Sequence, residues 1–187
     1  MEINNNHIRK YPIGIQSFEN LRREGYLYVD KTALIYRLIT TGKPYFLSRP
    51  RRFGKSLLLS TLKAYFEGKK ELFEGLAIEK LEKQWAVHPV LHLDLNAEKY
   101  DSVERLEMQM NSQLLNWESQ YGCDAKDWTY SIRFMNVIKA AYEQTGQQVV
   151  VLIDEYDKPM LESLHDKELR DQFRSLLVAF YSVLKTA

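Results

Sequence analysis

Phe46-Leu47-Ser48-Arg49-Pro50-Arg51-Arg52-Phe53-Gly54-Lys55-Ser56-Leu57-Leu58-Leu59 reads as a short apolar strand, a basic loop closed by Gly-Lys-Ser, and the opening of a helix. A glycine at 54 lets the backbone turn closely around anionic oxygens, while the first N–H groups of the helix face the same point. Lys55 can then bridge the outer phosphates of a nucleoside triphosphate, and the Ser56 hydroxyl can ligate magnesium. Arg51, Arg52, Phe53, Gly54, Lys55, Ser56 and Leu57 are therefore the candidate nucleotide-contacting residues, with Lys55 also a candidate catalytic group. The commoner spacing, Gly-x-x-x-x-Gly-Lys-Ser/Thr, puts a glycine where this chain has Arg49, so Gly-Lys-Ser alone is a signal of moderate specificity.

A second signal strengthens it. Val149-Val150-Val151-Leu152-Ile153-Asp154-Glu155 is an apolar run ending in two carboxylates, the pattern of a strand covered on both faces in the middle of a parallel sheet. Asp154 at its carboxyl end can hold magnesium through the ion's water shell, and Glu155 can orient or deprotonate an attacking water. The competing structural reading is a tight turn plus a solvated acidic strand end. Arg49, Arg51 and Arg52 form a positive patch with several uses open to it: phosphate contact, an arginine finger into a neighbouring subunit, pairing with local acids, or nucleic-acid backbone contact.

Outward from these motifs, strands alternate with helices. Gly25 to Val29 suggests a short extended piece, and Asp30 can cap a helix through Leu34, Leu38 and Ile39 that ends at Gly42. Pro44 to Ser48 reads as the first core strand, and Leu57, Leu58, Leu62, Tyr65 and Phe66 form a helical stripe stopped by Gly68. Val90 to Leu95 is a second strand, followed by helices over Glu104–Trp117 and Ser131–Thr145. A last helix carries Phe173, Leu176, Leu177, Phe180, Tyr181 and Leu184. The alternation predicts a layered α/β domain with a parallel sheet, flanking helices and right-handed crossovers. No repeat or low-complexity tract divides it.

Composition narrows the function classes. The chain has 187 residues, 45% of them apolar, enough to bury a core as one domain. Twenty-six Lys and Arg against 25 Asp and Glu, a formal charge of +1, argue against a polybasic nucleic-acid or membrane binder. The single cysteine, Cys123, excludes an internal disulfide and an all-cysteine metal cage, and nothing nearby marks it as a nucleophile. Met1 to Asn6 lacks the pattern of a secretory signal, and no segment stays apolar long enough to cross a bilayer. A soluble cytoplasmic protein without membrane contact is the expectation.

His88 and His92 flank a strand start, and Asp94 shares a strand face with His92, but two such residues with one carboxylate do not make a convergent metal site. Asp94 is read either as projecting toward a nucleotide crevice or as capping its loop. Asp157 and Lys158, before Pro159, form either a turn responding to the γ-phosphate or a plain salt-bridged turn. Trp85, Trp117 and Trp128 are read as packing residues.

Taken together, these stretches resemble the AAA-ATPase-like family, a divergent P-loop group in which the ATPase-like region often precedes a PD-(D/E)XK nuclease-like region. The resemblance rests on Tyr11-Pro12-Ile13-Gly14-Ile15 with Phe18, Gly25 to Thr32, Phe46 to Ser56, and Leu152-Ile153-Asp154-Glu155-Tyr156-Asp157-Lys158-Pro159, and it covers essentially the whole chain. Arg-Pro-Arg-Arg-Phe-Gly-Lys-Ser is the family's own pattern, so Arg49 is expected within it. The resemblance implies a P-loop NTPase core with ATP and Mg2+ as cofactors, Lys55 on phosphate, Ser56 and Asp154 on magnesium, and Glu155 serving the hydrolytic water.

It also implies a fourth strand between the phosphate-loop strand and the acidic strand. None is legible before residue 187, so residues 1–187 are expected to be the amino-terminal part of the domain, with an empty slot beside Val149 to Ile153 closed by strand rearrangement or by another copy. The expected function is a Mg-dependent ATP-binding module of an ATPase switch acting on an appended C-terminal domain or another subunit, with turnover weak or absent in this chain. The alternatives are a nucleic-acid phosphate clamp and a nucleotide-insensitive scaffold. The nuclease-like region has no counterpart here.

Overall fold

The structure is a computed structural model that describes residues 10–42, 44–48, 50, 52–96, 98–124 and 128–185. They fall into two compact units, Met1–Val87 and His88–Ala187.

The first unit is helical. Helices α1 (Phe18–Arg23), α2 (Thr32–Thr40), α3 (Lys55–Phe66) and α4 (Ala77–Leu81), with a 3-10 turn at Lys70–Phe73, surround an aromatic core. Phe18 and Phe73 are completely buried with ring centroids 4.9 Å apart, and Tyr28 meets Phe18 edge-on at 5.2 Å. Edge-on and tilted aromatic pairs of this kind contribute beyond their area burial. Ser17 caps α1 by accepting from Asn20 N–H, and Phe18 N–H donates to Ser60 Oγ at 2.8 Å, fastening α1 to the middle of α3.

Asp30 organises the start of α2. Its Oδ1 accepts from Thr32 N–H (2.8 Å) and from the Thr32 hydroxyl (2.6 Å), and Oδ2 accepts from Ala77 N–H at 2.7 Å. The buried Thr32 hydroxyl in turn accepts from Ile78 N–H at 3.0 Å, so one Asp-Thr pair serves the amino ends of two helices. Burial raises the Asp30 pKa, but the bonds from Thr32 and Ala77 outweigh it and leave it below the ordinary 3.8. The stabilisation is therefore present above pH 3.8 and is lost as pH falls through the lower, folded-state value. Asp30→Asn is expected to cost about 0.5–1 kcal/mol at neutral pH, kept small by solvent screening, with the gap to the unmodified chain closing on acidification below pH 3.8 in urea melts.

The second unit carries the sheet. Strands β1 (Val90–Asp94) and β2 (Val150–Asp154) run parallel in the register Val90↔Val150 to Asp94↔Asp154. The connection between them passes through α5 (Val103–Tyr121) and α6 (Tyr130–Thr145); α7 (Lys158–Glu162) and α8 (Lys167–Ser182) follow β2. A parallel pair needs such a crossover. Leu106, Met110, Leu114, Trp117 and Tyr121 give α5 a buried stripe at helical spacing. Phe134 of α6 stacks between Trp117 (5.6 Å) and Phe180 of α8 (4.5 Å). Gly122 and Gly146 end α5 and α6 in the left-handed conformation (φ 63° and 64°), which glycine adopts without a Cβ penalty.

Two expectations need correction. Pro44 to Ser48 is not a strand: Tyr45, Phe46 and Leu47 are 53%, 70% and 41% exposed. An apolar run becomes a strand only when neighbouring strands take up its backbone groups, and β1 and β2 pair with each other. Likewise β2 is not covered on both faces, its side chains being half-buried or buried, while β1 as its one partner strand among the described residues matches the empty slot expected beside Val149 to Ile153. Gly25 to Val29, read as a short extended piece, joins no sheet ladder among the described residues. The α/β class with parallel pairing and flanking helices stands; the phosphate-loop strand does not form among the described residues.

Candidate functional site

In the first unit, Gly54 sits at the N-cap of α3 with φ 74° and ψ 24°, a left-handed conformation that side chains resist. Gly54, as the N-cap, has no side chain with which to cap this helix. Lys55 and Ser56 occupy the first helical turn, both half-buried, and Leu58 N–H closes that turn onto Gly54 O at 2.9 Å. Arg52 is also left-handed (φ 66°), and Phe53 beside it is 63% exposed. Leu57 packs against the aromatic core, and Thr61 Oγ1–H donates to Leu57 O at 2.8 Å, so α3 is anchored just behind its amino end. Arg49 and Arg51 lie outside the described residues.

The second unit presents the acidic motif. Asp154 ends β2 with 7% of its surface exposed, and its Oδ1 accepts Glu155 N–H at 3.0 Å. Among the described residues of its unit no side-chain cation pairs with it. Asp94 stands opposite it in register at the end of β1, exposed, with Oδ1 accepting Asn96 N–H at 2.8 Å. Glu155 has φ 50°, an uncommon conformation for a residue with a Cβ. Exchanging it for glycine should raise stability by about 1 kcal/mol, read as a shift in thermal midpoint, because glycine adopts that conformation without strain.

A hard oxygen donor at a strand end, short of internal cations and beside a second carboxylate, suits a magnesium ion. Among the described residues no cluster of three or more His, Cys, Asp or Glu could hold a metal.

The turn after β2 is salt-bridged, one of the two forms expected for Asp157 and Lys158, and it holds carbonyl contacts that motif reading missed. Lys158 N–H donates to Glu155 O at 3.0 Å. Its ammonium donates to Asn96 O and Glu98 O, both at 2.7 Å, and lies 3.7 Å from Glu162 Oε1. Glu162 Oε2 also accepts Tyr100 N–H at 2.7 Å. The signal in the sequence was the four-residue spacing of Lys158 and Glu162; the carbonyl partners have no sequence signature.

Elsewhere the expectations fall out plainly. His88 Nδ1 meets Gln148 O at 3.0 Å, a backbone contact rather than a metal shell. Cys123 Sγ donates weakly to Asn136 O at 3.8 Å, and burial raises its pKa, an inert thiol. Trp117 and Trp85 pack as expected, whereas Trp128 is 43% exposed. Among the described residues no helix is long and apolar enough to cross a membrane.

The comparisons agree with the residue pattern. The chain is 40% identical over 178 residues to an uncharacterized protein in the vnfD 5'region of Azotobacter chroococcum mcd 1; the match takes in 95% of this chain and 34% of that protein. The chain thus spans about a third of the length of that relative. No solved structure matches it. The model of the AAA-ATPase-like family, described as predicted AAA-ATPase, matches residues 12–187, and the chain belongs to that family.

Proposed function

We propose that the chain is a Mg-dependent ATP-binding module, part of an ATPase switch whose nucleotide state is passed to an appended domain or another subunit. The observation that carries this reading is the amino end of α3, with left-handed Gly54 at the N-cap and Lys55 and Ser56 in the first turn. The aligned peptide dipoles of a helix favour anionic oxygens at its amino end. The family's description supports nucleotide binding in general.

In this reading Lys55 neutralises the outer phosphates, with Arg51, Arg52 and Phe53 lining the loop ahead of it and Leu57 seating the helix. Ser56 in the first unit and Asp154 in the second are each candidate magnesium ligands, and a bound ion would supply charge neutralisation of the phosphates. Glu155 is the group that would orient or deprotonate the attacking water. ATP is favoured over GTP by the family, and the chain contains no Asn-Lys-x-Asp run for guanine.

Calorimetric titration with ATP, with and without Mg2+, tests this directly. The unmodified chain is expected to bind, more tightly with Mg2+. Gly54→Ala, which forces a Cβ into φ 74°, should weaken binding about 5–30-fold, the equivalent of roughly 1–2 kcal/mol of left-handed strain. No heat of binding from a folded, unmodified chain would remove the proposal. Salt-dependent retention of DNA without nucleotide binding would favour the phosphate-clamp alternative.

A further inference from the structure

We infer that Lys158 is a positioning residue for the acidic motif: it holds the Asp154-Glu155 turn in its magnesium-receiving shape by clamping it to the loop that leaves β1. The inference rests on the Mg-nucleotide reading above and concerns a residue which that reading leaves unused.

The argument runs through the backbone. A non-glycine residue in the left-handed region persists only where its surroundings over-determine it. Glu155, at φ 50°, is held on its carboxyl side by Lys158 N–H, which donates to its carbonyl at 3.0 Å. On its amino side its own N–H donates to Asp154 Oδ1 at 3.0 Å. The orientation of the Glu155 peptide therefore sets the direction of the Asp154 carboxylate. Whatever fixes residue 158 fixes both.

What fixes it is the side chain. The ammonium of Lys158 bonds to two carbonyls of the exit loop, Asn96 O and Glu98 O, and approaches the Tyr100 ring at 5.7 Å. Glu162, one helical turn on, faces the ammonium through Oε1 and takes the Tyr100 amide through Oε2. The same loop is tied to the strand ends, where Leu95 N–H donates to Asp154 O at 3.2 Å and the Tyr100 hydroxyl donates to Leu95 O at 2.9 Å. Turn and loop thus brace each other, and Lys158 is where the brace crosses. A lysine with only 20% of its side chain exposed, fully engaged with carbonyls, is not a mobile surface charge.

The test is a Mg2+ titration of ATP affinity for Lys158→Ala, Lys158→Arg and Glu162→Gln, beside the unmodified chain. Hydrogen exchange at the Glu155 and Tyr100 amides is followed in the same samples. Lys158→Ala is expected to raise the half-saturating Mg2+ concentration about tenfold and to deprotect both amides, while ATP affinity in EDTA stays within twofold. Lys158→Arg, able to reach the same carbonyls, should recover most of the shift, and Glu162→Gln should move it part of the way. Equal loss of affinity with and without Mg2+ would mean that Lys158 merely supports the fold, and an unchanged Mg2+ midpoint would mean that it positions nothing; either overturns the inference. If Lys158→Ala does not fold, the same criteria apply to Glu162→Gln. An unmodified chain that binds ATP no better with Mg2+ would instead sink the magnesium reading itself, a separate outcome visible before any variant is made.

Discussion

Replacing Lys55 with alanine is expected to weaken Mg-ATP binding about 30–100-fold while leaving thermal stability unchanged or slightly higher. The loss follows from removing a charge-assisted bond to phosphate, worth roughly 2–3 kcal/mol when the partner oxygens are already partly desolvated at a helix end. Stability should hold because residue 55 is in the first turn of α3, half-buried, where alanine is the better helix former. The pairing of these two readouts is what gives the experiment force. A variant that bound poorly because α3 had frayed would melt early; one that lost only its phosphate contact would not. Lys55→Arg is a sharper control, since the planar guanidinium is longer and does not replace a point charge in a close loop, and it should recover little. Equal affinities for the unmodified chain and Lys55→Ala, both folded, would remove Lys55 from the phosphate site.

How far the fold could be read from residues depended on what each element needs. Helices α5, α6 and α8 close their own backbone bonds, and their apolar stripes repeat for three or more turns, so periodicity located them within a few residues. Strands β1 and β2 were legible as Val-Leu-His-Leu-Asp and Val-Val-Leu-Ile-Asp because each has a partner in the other. Pro44 to Ser48 is also largely apolar yet stays irregular, since strand formation depends on a neighbour that local sequence does not describe. Helices α1, α4 and α7 span 6, 5 and 5 residues, too short to display a period, and were missed.

The candidate site divides in the same way. Gly54 advertises its φ, because only glycine takes that conformation freely, and Asp154-Glu155 is visible as charge at the end of an apolar run. The left-handed Glu155 is invisible by contrast, for glutamate gives no hint of it. Asp30 was legible as a cap through its position ahead of Thr32, yet its reach to Ala77 was not, since the acceptor's partner is a backbone amide 47 residues away. Local chemistry is written in side chains, whereas bracing is written in carbonyls and amides.

The largest effect on stability should come from the buried pair between α5 and α6. Arg133 Nε and Nη2 donate to the two oxygens of Glu118, both at 2.7 Å, and Nη1 donates to Asn111 Oδ1 at 2.6 Å. The side chains are 7% and 3% exposed, so each charge has exchanged water for the other. The hydrogen bonds to Glu118 push the Arg133 pKa further up, and the guanidinium is charged in any case. Arg133→Met leaves the Glu118 carboxylate buried without its cation, and a loss of about 3–5 kcal/mol is expected. Glu118→Gln keeps the shape and one acceptor, and should cost less, about 1–3 kcal/mol. The decisive member of the cycle is the double variant Arg133→Met with Glu118→Leu: with no buried charge left it should recover most of the single-variant loss, because desolvating two ions offsets much of what their attraction contributes. Urea denaturation of the unmodified chain, Arg133→Met, Glu118→Leu and the double variant measures the coupling. If the double variant is as unstable as the sum of its parts, the pair acts through packing shape at the α5–α6 contact rather than through compensated charge.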